Sequence, residues 1–305
     1  MGGIAATSGG DLKAVSTIQK TGKKNPSPTS HATTPHGLAA SGGTVSSVGV
    51  AGFSLGGGAG GLGCGITRGG EIDYSGNVGE TRPECDDWET RIVDRIAEGR
   101  EKYGHIDFAM IQFGPWDVSD RKLEGTDEWV APGDPAYDDY LRSEVSTMVD
   151  LLLDEGVYVV WLTAPHLDVG RMQEPPPERP YPESDVARID RFNEIVREVV
   201  NERDGAVTVE LAEFLSQQPG GEMDATYEAP NGSEQLMRPD GVHFDIDAAV
   251  FLSRNGLGDL FLEALQAEPV PPGSDWDRDA WRTEVSEPIL DGTATTTTAP
   301  PPPQD

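Results

Sequence analysis

The chain has 305 residues, and its 53 Asp and Glu side chains against 23 Lys and Arg side chains give a formal net charge of −30. Nucleic acids are bound by clustered Lys and Arg side chains that displace counterions, so we expect no nucleic-acid partner. No apolar run approaches the ~18 residues that a membrane helix needs, so we expect no membrane insertion by this chain. The N-terminal residues lack the basic and apolar regions of a secretory signal.

The two ends of the chain differ in composition from its middle. Residues 1–43 are rich in Gly, Ser, Thr, Ala, Pro and Lys without helical or strand periodicity, and residues 267–305 are rich in Pro and Thr. Such segments bury too little apolar surface to fold, so we predict disorder at both ends around a domain at 44–266. Trp276 and Trp281 lie in the second segment, and they either dock onto the domain or stay free of it.

The middle of the chain alternates strand and helix patterns. Short apolar runs closed by Gly or Pro predict buried strands at 106–113, 157–162 and 206–211, with a weaker strand at 44–53. Apolar residues at helical spacing predict helices around 88–96, 137–152, 186–199 and 248–265. Strands separated by amphipathic helices predict an α/β fold, with a parallel sheet between two layers of helices. Ligands of such folds bind beyond the carboxyl ends of the strands.

A histidine motif stands directly before the last predicted helix. Asp240 precedes His243 by three residues in a turn that contains Gly241. At this spacing Asp240 can accept the Nδ1 proton of His243, which leaves Nε2 to act as a general base on a nucleophile. The competing interpretation is a surface turn with a solvated histidine. His105 and His166 are weaker candidates for the base.

A metal site at this turn is the less favoured alternative. His243 with Asp240, Asp245 and Asp247 supplies one imidazole and three carboxylates, but no second histidine and no recognised ligand spacing. We therefore predict neither a metal ion nor a cofactor.

The nucleophile has one candidate motif. Ser54 lies in Gly52-Phe53-Ser54-Leu55-Gly56, which fits the nucleophile elbow of α/β-hydrolases. That elbow needs a helix next, whereas residues 55–65 are so rich in glycine that neither helix nor strand is favoured. An incidental serine in a glycine-rich loop is therefore the open alternative.

Four motifs occur in order along residues 60–266: Leu62-Gly63-Cys64-Gly65-Ile66, Pro83-Glu84-Cys85-Asp86-Asp87-Trp88, Gly114-Pro115-Trp116-Asp117-Val118-Ser119-Asp120-Arg121 and Arg238-Pro239-Asp240-Gly241-Val242-His243-Phe244. In combination they resemble the SGNH (GDSL-type) hydrolase superfamily, and more narrowly the SGNH domain fused to bacterial membrane acyltransferases. The resemblance implies a flavodoxin-like three-layer α/β/α sandwich with a parallel sheet. It also implies serine ester chemistry on acyl groups of carbohydrates, often O-acetyl groups.

The resemblance also implies a Ser-His-Asp site. His243 would be the general base, Asp240 would orient it, and Ser54 or a serine of another segment would be the nucleophile. The interval from Ser54 to Gly63 is too short for the helix and second strand of the family, which need about 20 or more residues at ordinary lengths. We therefore expect a shortened first βαβ unit.

The oxyanion donors implied by the resemblance are backbone N–H groups. Gly63, or less so Gly65, occupies the glycine block, and Gly114 matches the glycine of the third block. The family places Asn two positions after that glycine, where this chain has Trp116. The bulk of an indole suits a hydrophobic wall for the acyl group or sugar ring better than an oxyanion donor.

Two cysteines, Cys64 and Cys85, cannot by themselves form a disulfide framework or a zinc site. The resemblance implies an extracytoplasmic or secreted domain, in which one bridge between them would add ~3 kcal/mol of stability in the chain-entropy model. In the cytoplasm, the alternative location, they would be buried thiols.

The function expected from this resemblance is a serine esterase or O-acyltransferase. Its partner would be a small-molecule or glycan acyl ester, and O-acetyl esters of carbohydrate or cell-envelope substrates fit best. The alternatives are a catalytically impaired SGNH-like domain that binds an acylated glycan, an α/β-hydrolase that uses Ser54, and an unrelated ligand-binding α/β domain.

Overall fold

The computed structural model describes residues 5–6, 65–72, 78–80, 86–103, 106–114, 117–123, 126–172, 181–229, 231–244, 246–267, 269–274 and 276–281. Within these residues the chain is an α/β protein. The strand predicted at 44–53 lies outside them, as does most of the two segments predicted to be disordered, so the domain limits stay a prediction.

In chain order the strands are β1 (Ala5–Ala6), β2 (Gly70–Ile72), β3 (Val78–Glu80), β4 (Phe108–Gln112), β5 (Asp120–Lys122), β6 (Trp129–Val130), β7 (Tyr158–Leu162), β8 (Ala206–Val209), β9 (Thr226–Glu228) and β10 (Glu234–Leu236). The helices are α1 (Trp88–Tyr103), α2 (Pro135–Asp154), α3 (Val186–Asn201), α4 (Leu211–Ser216), α5 (Ile246–Leu252), α6 (Gly258–Ala267) and α7 (Arg278–Trp281).

The central sheet has the strand order β1-β4-β7-β8. β4 pairs parallel to β7, with Ile111 opposite Trp161, and β7 pairs parallel to β8, with Trp161 opposite Thr208. The three strands predicted at 106–113, 157–162 and 206–211 therefore form a parallel sheet, which confirms that prediction. β1 adds two residues antiparallel to β4 at the edge.

Apolar side chains of the sheet alternate between two buried clusters. Ala109, Ile111 and Trp161 pack with residues of α1, α2 and α3, whereas Phe108 and Tyr158 pack with residues of α4, α5 and α6. Because neighbouring strand residues point to opposite faces, these clusters cover opposite faces of the sheet. Every residue of β7 is buried, as expected for a central parallel strand.

Helices α1, α2 and α3 lie where the apolar spacing predicts them. α2 begins at Pro135, which suits the first helical position because its fixed φ is helical and its missing N–H is not needed there. α3 is capped by Asp185, whose carboxylate accepts from the backbone N of Ala187 at 3.0 Å. Val186, counted in the predicted apolar stripe, is 42 % exposed because it lies in the first turn.

The single helix predicted over 248–265 is wrong. α5 ends at Leu252, a wide turn covers Ser253–Leu257, and α6 begins at Gly258. Inside the turn Asn255 and Gly256 leave helical geometry, with Gly256 at φ +114°. Only glycine adopts such a φ at low cost, so Gly256 permits the break.

Trp276, which follows the predicted limit at residue 266, packs against the domain. Trp276 is only 5 % exposed, and its ring centroid lies 6.1 Å from that of Phe108 and 5.8 Å from that of Tyr158. Trp276 therefore docks onto the face of the sheet that α6 covers. The side chain of Trp281 lies outside the described part of the chain.

Short antiparallel strands form two smaller sheets that the sequence patterns did not predict. One has the order β3-β2-β5-β6, and the other is the hairpin of β9 and β10.

None of the described helices has the length and apolar character needed to cross a bilayer.

Candidate functional site

Asp240 and His243 form a hydrogen-bonded pair in the turn before α5. Oδ2 of Asp240 lies 2.5 Å from Nδ1 of His243, and Oδ1 accepts from the backbone N of Val242 at 2.9 Å and of His243 at 2.7 Å. Burial raises the pKa of Asp240, but the hydrogen bonds from His243 and Val242 outweigh it and lower the pKa to about 2. Asp240 is therefore a carboxylate at neutral pH.

This contact defines the state of the imidazole. A carboxylate only accepts hydrogen bonds, so in the neutral ring the proton resides on Nδ1 and the lone pair on Nε2. The side chain of His243 is 27 % exposed, which leaves the ring accessible from solvent. The arrangement can accept a proton at Nε2 while Asp240 stabilises the resulting imidazolium, which is the chemistry of a general base.

Gly241 holds this turn against the segment that follows β7. It has φ +80°, and a Cβ on it would lie 2.2 Å from the backbone O of Asp168. The backbone N of Asp168 donates to the O of Gly241 at 3.1 Å. Since β7 ends at Leu162, the Asp240–His243 pair is attached to the carboxyl end of the parallel sheet, where ligands of such folds bind.

Two arginines add polar links between the same segments. Arg238 is 1 % exposed, and its guanidinium donates to the backbone O of His166 and of Glu222, each at 2.6 Å. Arg171 donates to the backbone O of Arg238 at 3.3 Å and to the carboxylate of Asp168 at 2.9 Å. Burial lowers the pKa of Arg238 to about 10, so it stays charged at neutral pH.

His166, in the segment that follows β7, lies between two carboxylates. Its Nδ1 is 2.9 Å from Glu222 and its Nε2 is 2.8 Å from Asp190, and its backbone N also donates to Glu222 at 2.7 Å. The hydrogen bond to Glu222 raises the pKa of His166, burial opposes that shift, and Asp190 adds to it. Because both ring nitrogens are engaged, His166 suits a structural clamp better than a free general base.

Gly114 follows β4 and crosses close to the segment after β7. Its φ is +146°, and a Cβ there would lie 2.4 Å from the Cβ of Ala164. Ala164 is held by Asn193 of α3, which accepts from its backbone N at 2.7 Å and donates to its O at 2.8 Å. The carboxyl ends of β4 and β7 thus approach each other through a residue without a side chain. The oxyanion role of Gly114 stays a prediction.

Several predicted site residues lie outside the described part of the chain. These are Ser54, Gly63, Trp116, His105 and the two cysteines Cys64 and Cys85, and their predicted roles stay predictions. Gly65 is described, and it packs against the buried carboxylate of Asp117.

Among the described residues, no three or more His, Cys, Asp or Glu side chains are placed to hold a metal ion. The carboxylates around His166 are instead hydrogen-bonding partners of its ring.

The sequence patterns assigned no role to Arg238, Glu222 or Asp117, and they gave His166 only as a weaker candidate for the general base. Arg238 and Asp117 belong to the quoted motifs, so their positions carried a signal, although nothing local indicated their partners. Those partners are distant in sequence: Arg238 and His166 are separated by 72 positions, and His166 and Glu222 by 56.

Fold and site together define an α/β protein with a His-Asp pair attached to the carboxyl end of a parallel sheet. The chain belongs to the DUF459 family, described as a protein of unknown function, whose model matches residues 70–255. The match includes Gly114, Asp240 and His243. No curated protein matches the chain.

Proposed function

We propose that this protein is an SGNH-type serine esterase or O-acyltransferase that acts on acyl esters, O-acetyl esters above all, of carbohydrate or cell-envelope substrates. The observation that carries the proposal is the Asp240–His243 pair, in which an ionised carboxylate holds Nδ1, Nε2 takes no part in that contact, and the His243 side chain is partly exposed. Structural histidines do not need this arrangement, whereas a general base does.

The fold supports the same proposal. Helices cover both faces of the parallel sheet, which agrees with the three-layer α/β/α sandwich of SGNH hydrolases. The pair lies at the carboxyl end of that sheet, and the family match spans the motifs of Gly114 and His243. The net charge of −30 favours a neutral acyl ester over a polyanionic substrate.

In the proposed reaction, Nε2 of His243 takes the proton of a serine hydroxyl as its oxygen attacks the ester carbonyl. Backbone N–H groups of the Gly63 and Gly114 segments stabilise the oxyanion. The intermediate collapses to an acyl-enzyme, and His243 returns the proton to the leaving alcohol. Water then gives hydrolysis, or a sugar hydroxyl gives transfer. Ser54 is the candidate nucleophile. An extracytoplasmic location and a Cys64–Cys85 bridge belong to the same proposal.

The test compares the parent with His243→Ala and Ser54→Ala in the hydrolysis of p-nitrophenyl acetate and in covalent labelling by a fluorophosphonate. Ser233→Ala is the matched serine control, because Ser233 is exposed and hydrogen-bonds to Asn231 in the loop between β9 and β10. We expect labelling and turnover in the parent and the control, and a loss of turnover in His243→Ala.

The outcome for Ser54→Ala identifies the nucleophile. Loss of labelling assigns Ser54, whereas retained labelling together with loss in His243→Ala assigns another serine. A folded parent that neither turns over the ester nor reacts with the probe contradicts the proposal, and the binding of acylated glycans would then be the function to examine.

A further inference from the structure

Asp117 is a fully buried carboxylate three residues after Gly114. Its Oδ1 accepts three hydrogen bonds from a distant segment: from the backbone N of Ile66 at 2.6 Å, and from the N and Oγ1 of Thr67 at 3.0 and 3.1 Å. Its own backbone N donates to the O of Gly114 at 3.0 Å. One residue therefore connects the 65–67 segment to the end of β4.

Gly65 permits this connection. A Cβ on Gly65 would lie 2.0 Å from Oδ1 and 2.4 Å from Cγ of Asp117, far inside contact distance. The amides of Ile66 and Thr67 point at Asp117, so they are unavailable to a substrate. An oxyanion donor on this segment must therefore come from Gly65 or from residues before it.

Burial makes Asp117 a costly way to join two segments. It raises the pKa of Asp117, while the hydrogen bonds from Thr67 and Ile66 and the charge of Arg121 oppose the shift. The second oxygen, Oδ2, has no hydrogen-bond partner among the described residues. Burying an ionisable side chain adds little net stability, so stability alone does not account for the Asp117 link.

The 65–67 segment and the residue after it have other supports. Nε1 of Trp88 donates to the backbone O of Ile66 at 3.1 Å, and the backbone N of Arg68 donates to the hydroxyl of Tyr140 at 2.8 Å. Loss of the Asp117 carboxylate would thus release the Gly65 end of the segment while these anchors remain.

We propose that Asp117 is a positioning residue that sets the distance between the two backbone segments that supply the oxyanion donors. This inference rests on the proposed function, because Gly63 or Gly65 and Gly114 are the donors in that mechanism. Donors help only when they are fixed where charge develops, so loosening one segment lowers kcat more than it changes KM.

The test uses Asp117→Ala, Asp117→Asn and Thr67→Val in the full chain, with p-nitrophenyl acetate as substrate. Asp117→Ala removes all three hydrogen bonds, Asn keeps a carbonyl oxygen for them, and Thr67→Val removes one. We expect kcat to fall at least 10-fold in Asp117→Ala with KM within about 3-fold. We expect a smaller fall in Thr67→Val and at least partial rescue in Asp117→Asn.

Tyr158→Phe is the matched control. It removes a buried hydrogen bond, from the Tyr158 hydroxyl to the backbone O of Ala264 at 3.0 Å, on the face of the sheet that α6 covers. A purely structural role for Asp117 predicts that kcat is unchanged in every variant that is folded at the assay temperature. That result would overturn the inference, as would an equal loss of kcat in Tyr158→Phe.

Amide hydrogen exchange separates this inference from the proposed function. We expect the amides of Ile66 and Thr67 to exchange faster in Asp117→Ala than in the parent, and not faster in Tyr158→Phe. A parent without esterase activity contradicts the proposed function, and with it the kinetic role of Asp117. Unchanged exchange in both Asp117 variants contradicts the link itself, whether or not the parent hydrolyses esters. If Asp117→Ala does not fold, Thr67→Val and Asp117→Asn decide the outcome by the same measurements.

Discussion

Substitution of Gly241 by alanine tests whether close packing holds the Asp240–His243 pair in place. Gly241 and Gly232 share φ +80°, but a Cβ on Gly232 meets nothing within 4 Å, whereas one on Gly241 lies 2.2 Å from the O of Asp168. Gly232→Ala therefore measures the cost of the backbone conformation alone, about 1–2 kcal/mol. Any excess in Gly241→Ala comes from the contact with Asp168.

The extra loss of stability in Gly241→Ala follows from the close contact between its Cβ and the O of Asp168. An ordinary Cβ contact is at least 3.4 Å, so the turn must move by more than 1 Å, which breaks the hydrogen bond from Asp168 to Gly241. The lost bond costs about 0.5–1.5 kcal/mol and the overpacking about 1–3 kcal/mol. We expect urea unfolding to give a loss of about 2.5–6.5 kcal/mol for Gly241→Ala, against about 1–2 kcal/mol for Gly232→Ala.

The displaced turn also carries the proposed general base. We expect hydrolysis of p-nitrophenyl acetate to fall at least 10-fold in Gly241→Ala, measured where the variant is folded, and to be unchanged in Gly232→Ala. If the two variants lose equal stability and keep equal activity, the packing of Gly241 on Asp168 does not position the Asp240–His243 pair.

Two further predictions concern ionisation. Asp240→Asn places an NH2 group opposite Nδ1 of His243 or selects the wrong tautomer of its ring, so the rate of ester hydrolysis should fall about 10²–10⁴-fold. Because the pKa of Asp240 is lowered to about 2, the parent should lose the stabilisation from this pair as the pH falls from about 4 to 2, and the variant should not. Urea unfolding midpoints measured across this pH range check the difference. The raised pKa of His166 means that its ion pairs stabilise the fold below pH about 6.5 and lose effect as the pH rises through that raised pKa. NMR titration of the ring should give a lower pKa in Glu222→Gln than in the parent, and an unchanged pKa would show that Glu222 is not its main partner.

The parts of the fold that could be predicted from the sequence are those with a continuous apolar signal. β7 is buried along its whole length, and the apolar stripes of α2 and α3 face one side of the sheet, so periodicity was sufficient. The strands of the β3-β2-β5-β6 sheet are only 2 or 3 residues long, which is too short to show an alternation of apolar and polar residues. The break before α6 had a signal in Asn255-Gly256, which the apolar pattern on both sides outweighed.

In the candidate site, contacts between residues close in sequence could be predicted, and contacts between distant segments could not. Asp240 and His243 are three positions apart, so their contact follows from local geometry and the spacing alone predicted it. The sequence leaves the docking of Trp276 open because the residues around it are polar and rich in proline, and the structure shows its ring packed against that of Tyr158. Contacts such as Asp117 with Thr67 join segments 50 positions apart and leave no local pattern.

The glycines of the motifs have a shared physical reason that does not depend on their proposed roles. A Cβ on Gly65, Gly114 or Gly241 would lie 2.0, 2.4 or 2.2 Å from an atom of a distant segment. Each glycine is therefore required where its segment crosses another closely, and the atom met is a backbone oxygen at Gly241 and a side-chain atom at Gly65 and Gly114. A functional site assembled from such crossings tolerates no side chain there, so the packing alone explains why glycine recurs in these motifs.

Oxyanion donation has to be tested with substitutions that add no Cβ at these glycines. Because alanine at Gly65 or Gly114 disturbs a close contact, loss of activity in such a variant does not separate a missing donor from a displaced one. The substitutions that leave the crossings intact, Asp117→Asn and Thr67→Val, alter the support of the segment without adding a Cβ. Their effect on kcat, read together with exchange of the Ile66 and Thr67 amides, therefore isolates positioning from packing in a way that the glycine variants cannot.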